Sequence, residues 1–121
     1  MIIVDTSVWI EFFRQTNQTT NDLMSGYLED GEVIGVTAVF GELLQGARNE
    51  AEEKIILEFW RDLPKIDETE LFIEAGKLSS KKKLFAKGLG LIDCYILAAA
   101  KELGLSLWTL DKKLIKEFQD S

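Results

Sequence analysis

Short apolar strands alternating with helical segments predict an α/β fold: a three-layer α/β/α domain whose short, mainly parallel central sheet is covered by helices. Three observations carry this. Apolar runs at Ile2 to Val4, Val33 to Val36 and Leu105 to Leu110 are separated by helix-period stretches long enough to cross back over a sheet. The segment Leu91 to Leu103 is apolar on nearly every side, as a helix at the centre of such a fold must be. The 121 residues, 46% of them hydrophobic, suit a single domain over residues 1–121 that buries roughly 65% of its unfolded surface.

Taken in order, Ile2 to Val4 reads as a buried strand, with Thr6 and Ser7 opening an amphipathic helix over Val8 to Arg14. The polar run Gln15 to Thr20 is a loop, and a second helix fits Asn21 to Glu29, stopped by Asp30 and Gly31. After the strand Val33 to Val36, Thr37 caps a helix that runs through Gln45 to Gly46. Another helix covers Glu50 to Asp62 and is stopped by Pro64, after which Lys65 and Ile66 form a very short third strand. Glu70 to Lys87 is a long helix or a broken pair, weakened around Ser79 and Ser80. The apolar helix Leu91 to Leu103 is closed by Gly104, Leu105 to Leu110 is the last strand, and Lys112 to Phe118 the last helix. There is no linker, internal repeat or low-complexity segment.

Composition excludes several chemistries. Zero histidines remove Ser-His-Asp and Cys-His catalysis, and the single cysteine, Cys94, removes an internal disulfide and any Cys-rich zinc site. No run approaches the ~18 apolar residues of a membrane span, and the apolar start lacks the basic opening of a signal peptide, so a cytoplasmic protein is expected. A net charge of -7 argues against a nucleic-acid partner. Two features weaken that argument: carboxylates that hold divalent ions change the local sign, and Lys81, Lys82, Lys83 and Lys87 form a basic stretch.

Against this background four acids stand out, because each is isolated in apolar sequence. Asp5 is the only charge between Met1 and Ile10, Glu42 between Val33 and Ala47, and Asp93 between Gly88 and Ala100, while Asp111 ends the uncharged run Leu103 to Leu110. Acidic side chains are seldom buried without a partner, and few Lys or Arg lie near these four in sequence. A cation is the candidate partner. Asp5 and Asp111 fall at strand carboxyl ends, Asp93 opens the buried helix, and Glu42 lies about a turn and a half into its helix. Ligands in parallel sheets bind beyond those strand ends, so all four can reach one edge.

Taken singly, Asp5, Asp93 and Asp111 each precede a helix and can serve as N-caps, and Glu42 can be an exposed point on an amphipathic surface. Thr6, Ser7 and Thr109 are ordinary capping or strand residues. Together the acids imply more. Two carboxylates ~5 Å apart repel by roughly 3 kcal/mol at an effective dielectric of ~20, and magnesium or manganese, hard ions that take oxygen ligands, relieve that repulsion. Such ions activate water and stabilise a leaving oxygen, which supports phosphodiester hydrolysis.

Four stretches carry a family resemblance: Val4-Asp5-Thr6-Ser7-Val8-Trp9-Ile10; Gly41-Glu42-Leu43-Leu44-Gln45-Gly46; Leu91-Ile92-Asp93 followed by Ala98-Ala99-Ala100; and Leu107-Trp108-Thr109-Leu110-Asp111. In this order the chain resembles the PIN-domain ribonucleases, and within them the VapC-type toxins of toxin-antitoxin pairs. The resemblance implies a PIN-like fold and an acidic constellation of Asp5, Glu42, Asp93 and Asp111 that coordinates Mg2+ or Mn2+, with Asp5 and Asp93 as direct ligands. Ser7 and Thr109 match polar positions that orient the acids or a water. An endoribonuclease acting on RNA is implied, inhibited by an antitoxin protein encoded beside it, and a homodimer. Two departures are Cys94 and Tyr95 after the third acid, where a small residue is common, and an end at Ser121 where many relatives add an edge strand.

An apolar set, Trp9, Phe12, Phe13, Phe40 and Leu44, is expected either to pack the core or to line a groove for an antitoxin helix. The uncompensated acids would also accept an Arg or Lys from such a partner. Other classes fit less well. A receiver domain needs a phosphoacceptor Asp after a central strand, and a haloacid-dehalogenase phosphatase needs a second Asp where this chain has Ser7. A stand-alone RNA- or DNA-processing nuclease of the same fold, and a non-catalytic binding module, remain alternatives.

Overall fold

The computed structural model of the chain describes residues 1–120. Among them lie three short strands, β1 (Ile2–Val4), β2 (Val33–Ile34) and β3 (Ser106–Trp108). Seven helices accompany them: α1 (Thr6–Arg14), α2 (Gln18–Glu29), α3 (Thr37–Gln45), α4 (Glu50–Asp62), α5 (Leu71–Lys82), α6 (Leu91–Glu102) and α7 (Lys112–Gln119). The sheet is parallel throughout with order β2-β1-β3, and the helices flank it in a three-layer α/β/α arrangement. The chain leaves β1 to one side for β2 and returns to the other side for β3. Strand order therefore reverses at β1, and the crevice beyond its carboxyl end is the expected ligand position.

The register aligns Ile2 with Ser106, Ile3 with Leu107 and Val4 with Trp108, and the ladder continues with the Asp5 N–H donating to the Trp108 carbonyl at 2.9 Å. Ile3 and Val4 are fully buried, as the central strand requires. Helix α6 packs on β1 and β3 and is flanked by α5, α3 and α7. Its run from Cys94 to Ala100 is buried on every side, and the three alanines let neighbouring backbones approach closely.

Several boundaries differ from expectation. Helix α2 starts at Gln18, inside the predicted loop, because the Asn17 side chain accepts from the Thr20 N–H and caps it. Strand β2 is two residues long rather than four. Beyond it, Gly35 makes a single parallel bridge to Lys65, all that forms of the expected third strand. A Cβ at Gly35 would stand 3.2 Å from the Trp60 ring and 3.3 Å from the Leu63 and Lys65 side chains, so glycine lets this crossing pack without displacing them. Strand β3 is shorter than Leu105 to Leu110 because Thr109 and Leu110 turn into the cap of α7. The Glu70 to Lys87 segment resolves into α5, which stops at Lys83 in the left-handed region (φ 57°), followed by a turn.

Packing changes one expected role and decides another. Thr37 does not cap α3; Val36 holds the N-cap position without a side-chain bond, and Thr37 is the first helical residue. Trp9 and Phe40 lie in the core rather than on a groove. The Trp9 ring meets Phe12, Phe13, Phe40 and Phe59 at centroid distances of 5.3–6.1 Å, and such pairs add about 0.5–1.5 kcal/mol each beyond their buried area.

Candidate active site

Asp5 is held most tightly of the four acids. It ends the central strand, caps α1, and is 7% exposed. Its Oδ1 accepts from the Thr6 N–H at 2.8 Å, while Oδ2 accepts from the Ser7 hydroxyl at 3.0 Å and the Thr109 hydroxyl at 2.6 Å. Each carboxylate oxygen has two lone pairs. Oδ2 is thus filled from within the protein, and Oδ1 keeps one lone pair for an outside partner.

The two hydroxyls also fix the fourth acid. Thr109 Oγ1 accepts from the Asp111 N–H at 3.0 Å, and Ser7 Oγ accepts from the Leu110 N–H at 3.1 Å. The turn after β3 is thereby bonded to the first turn of α1. Asp111 is an N-cap, as one sequence reading allows: its Oδ1 accepts from the N–H groups of Lys113 at 2.9 Å and Leu114 at 3.3 Å, leaving Oδ2 outside the cap.

Glu42 sits on α3 and is exposed. One oxygen is nonetheless fixed, because Thr6 Oγ1 donates to Glu42 Oε1 at 2.7 Å, 36 residues away in sequence. Thr6 therefore joins the Asp5 cap to the Glu42 helix, a role its sequence context did not announce. Asp93 is the third residue of α6 rather than its cap; Gly90 caps the helix, and the Gly90 N–H donates to Asp93 Oδ2 at 3.2 Å.

Asp93 is the residue at which the four acids meet electrostatically. Half-burial pushes its carboxyl pKa up, the Gly90 N–H opposes that, and the negative charges of Asp111, Asp5 and Glu42 push it further up. No Lys or Arg among the described residues forms an ion pair with any of the four. As placed, no three of them close around a point as an ion cage would require. They share one field: Asp5 keeps one lone pair on Oδ1, and Glu42, Asp93 and Asp111 each keep a carboxylate oxygen outside the bonds described above. An all-oxygen donor set of this kind fits magnesium, which takes one or two carboxylates and fills its remaining positions with water and phosphate oxygens.

A second network lies across α3 and α6 and was not anticipated. Glu68, just before α5, accepts at Oε1 from the Thr37 N–H (3.0 Å), the Thr37 hydroxyl (2.6 Å) and the Tyr95 hydroxyl (2.6 Å). It ties the start of the Glu42 helix to the residue two positions after Asp93. Burial, and then the Glu68 carboxylate, push the Tyr95 phenol up to about 12. Cys94 beside it is buried and its thiol is pushed up by that burial, so the cysteine is an inert packing residue.

Glu42 also lines a groove of about 570 Å³ between α1, α3 and α4. Its apolar walls include Phe12 and Phe13, as the sequence allowed, with Leu43, Ala47, Ile55 and Phe59. Arg14, Arg48 and Glu52 stand among its polar lining.

The family model for the PIN domain matches residues 2–119. The chain is 30% identical to Ribonuclease VapC32 of Mycobacterium tuberculosis over 118 residues, covering 94% of this chain and 87% of that protein, in strains CDC 1551 / Oshkosh and ATCC 25618 / H37Rv alike. Among solved structures it is similar to VapBC2 from Rickettsia felis, bound to a DNA fragment from their promoter, with a TM-score of 0.69 at 19% identity over 97% of this chain and 92% of that one. It is also similar to FitAcB from Neisseria gonorrhoeae, with a TM-score of 0.68 at 19% identity over 98% and 94% of the two chains. The structural likeness concerns the fold, while the family match spans β1 to α7 and includes all four acids; the chain belongs to the PIN-domain family.

Proposed function

We propose that the chain is a magnesium- or manganese-dependent endoribonuclease and the toxin of a toxin-antitoxin pair. One observation carries the reading. Four carboxylates without a cationic partner gather where strand order reverses, and the most buried is oriented by two hydroxyls. The similarity to a VapC ribonuclease supports RNA as the substrate.

Asp5 and Asp93 are the direct metal ligands in this reading, with Glu42 as a third and Asp111 acting directly or through water. An ion held there would supply Lewis-acid chemistry, lowering the pKa of water so that hydroxide is available near neutral pH and offsetting charge on the phosphoryl oxygens. The protein's own part is orientation. Ser7 and Thr109 donate to Asp5 Oδ2 and the Thr6 N–H to Oδ1, so the carboxylate is fixed with one Oδ1 lone pair left for the ion. Thr6 holds Glu42, and the Gly90 N–H holds Asp93. These bonds set the ligand oxygens before substrate arrives, so less reorganisation accompanies the reaction.

The groove between α1, α3 and α4 suits an apolar segment of the antitoxin, because Glu42 is part of its lining and draws an inhibitor's Arg or Lys to the acids. Purified protein is assayed on RNA and on single-stranded DNA, with magnesium, with chelator, and as Asp5→Asn and Asp93→Asn. RNA cleavage that needs magnesium and is lost in both variants is expected. Cleavage in chelator, or full activity in both variants, refutes the mechanism; equal cleavage of DNA refutes the choice of substrate.

A further inference from the structure

The proposed site is acidic and the chain carries a net charge of -7, so RNA needs a local surface that attracts and holds it. The turn between α5 and α6 supplies one. Leu84 and Leu89 are buried at its two ends, 0% and 2% exposed, and the Leu89 N–H donates to the Leu84 carbonyl at 3.0 Å. Inside this pinned turn Phe85 is 84% exposed, the most exposed large apolar side chain among the described residues. Its backbone is held as well, since the Gly88 N–H donates to the Phe85 carbonyl at 3.0 Å. An apolar ring held out by a fixed backbone on a turn with two buried anchors contributes nothing visible to the core.

Cations flank that ring in sequence, and one more reaches the turn that carries it. Lys81, Lys82 and Lys83 precede it and Lys87 follows it. The Lys113 side chain crosses from the first turn of α7 to lie against Gly88, where a Cβ would meet its Nζ at 2.9 Å; Gly88 also has φ +86°. Lys87 pairs with Glu117 at 3.1 Å, whereas Lys83 and Lys113 form no ion pair among the described residues. The turn runs directly into Gly90, which bonds Asp93, and Lys113 donates its backbone N–H to Asp111. One basic, aromatic element thus adjoins two of the four acids.

We propose that this turn holds single-stranded RNA beside the acids, with Phe85 stacking on a base and Lys83 and Lys113 neutralising phosphates on either side. An aromatic face with flanking cations is the chemistry by which single strands are held without base-edge reading. The inference rests on the ribonuclease reading above and adds how the strand is gripped. Binding of a short labelled single-stranded RNA to the full-length protein is measured by fluorescence anisotropy in chelator, which stops cleavage. Phe85→Ala weakens binding about tenfold. Phe85→Leu, which keeps apolar bulk without a ring, loses as much, while Phe85→Tyr keeps wild-type affinity. Lys83→Ala and Lys113→Ala each reduce the slope of log affinity against log salt by about 0.7. Wild-type affinity in Phe85→Leu overturns the proposal. So does a changed mass by light scattering in Phe85→Ala with RNA affinity intact, which makes the ring a protein-docking contact. If the wild type cuts RNA with magnesium while Phe85→Leu binds and cuts equally well, only this inference fails. If the wild type neither binds nor cuts RNA, the ribonuclease reading falls with it.

Discussion

Replacing Thr109 by valine removes one hydroxyl and almost no volume, at a residue 7% exposed. Two hydrogen bonds go with it: the 2.6 Å bond to Asp5 Oδ2 and the 3.0 Å bond from the Asp111 N–H. The first is a bond to a carboxylate, worth about 1.5–3 kcal/mol, and the second an ordinary bond of about 0.5–1.5 kcal/mol. The added methyl returns about 0.8 kcal/mol of burial, so the net loss is centred near about 2.5 kcal/mol. For a domain of this size that lowers Tm by about 8–12 °C. Thr109→Ser keeps both bonds and loses only a methyl, about 0.8 kcal/mol. Urea unfolding of the three proteins gives the order wild type, Ser, Val. A valine variant as stable as the wild type, or a serine variant less stable than valine, refutes the assigned role of the Thr109 hydroxyl. Nuclease activity follows the same order, since Asp5 loses the bond that orients it while its charge is retained.

Two further outcomes follow from the charges. Asp93→Asn abolishes cleavage yet leaves the metal-free protein at least as stable as the wild type, because it removes a half-buried charge that three neighbouring acids raise in energy. The sign of the pH effect agrees: with a folded pKa above the unfolded one, Asp93 binds more protons folded than unfolded in the window between them. Metal-free stability from Asp93 therefore falls as pH rises through that window, and urea unfolding of Asp93→Asn shows a flatter profile there; an unchanged profile contradicts it. Tyr95→Phe removes the 2.6 Å bond to Glu68 and lowers stability by about 1–2 kcal/mol. In spectrophotometric titration of the wild type, one of the two tyrosines stays protonated up to about pH 12, and that late-titrating group is missing in Tyr95→Phe.

Much of the fold follows from local pattern. The strand cores, most helix spans and the parallel order are set by apolar runs, capping residues and crossover lengths, all confined to a few neighbouring residues. Two starts differed for different reasons. Asn17 extended α2 backward through a local cap to Thr20 that lay inside the expected loop, whereas Thr37, by local chemistry a good cap, bonds instead to Glu68, 31 residues away. Core packing is the ordinary reading of Trp9 and Phe40, and the ring of partners around Trp9 bears it out against the groove alternative.

The sequence by itself determined that four acids stand isolated in apolar surroundings, that no histidine or cysteine pair can do the chemistry, and that Asp5 ends a strand, whereas Asp111, expected at a strand end, stands three residues past β3 as the cap of α7. Placement at strand ends is a one-dimensional property, so it was legible. Only the tertiary structure decided which groups hold the acids. The Thr109 bond to Asp5 spans 104 residues, the Thr6 bond to Glu42 spans 36, and the Glu68 bridge from α3 to α6 has no spacing that marks it. Such pairings depend on how the layers stack on the sheet, and that geometry is fixed by the whole core rather than by any segment of it.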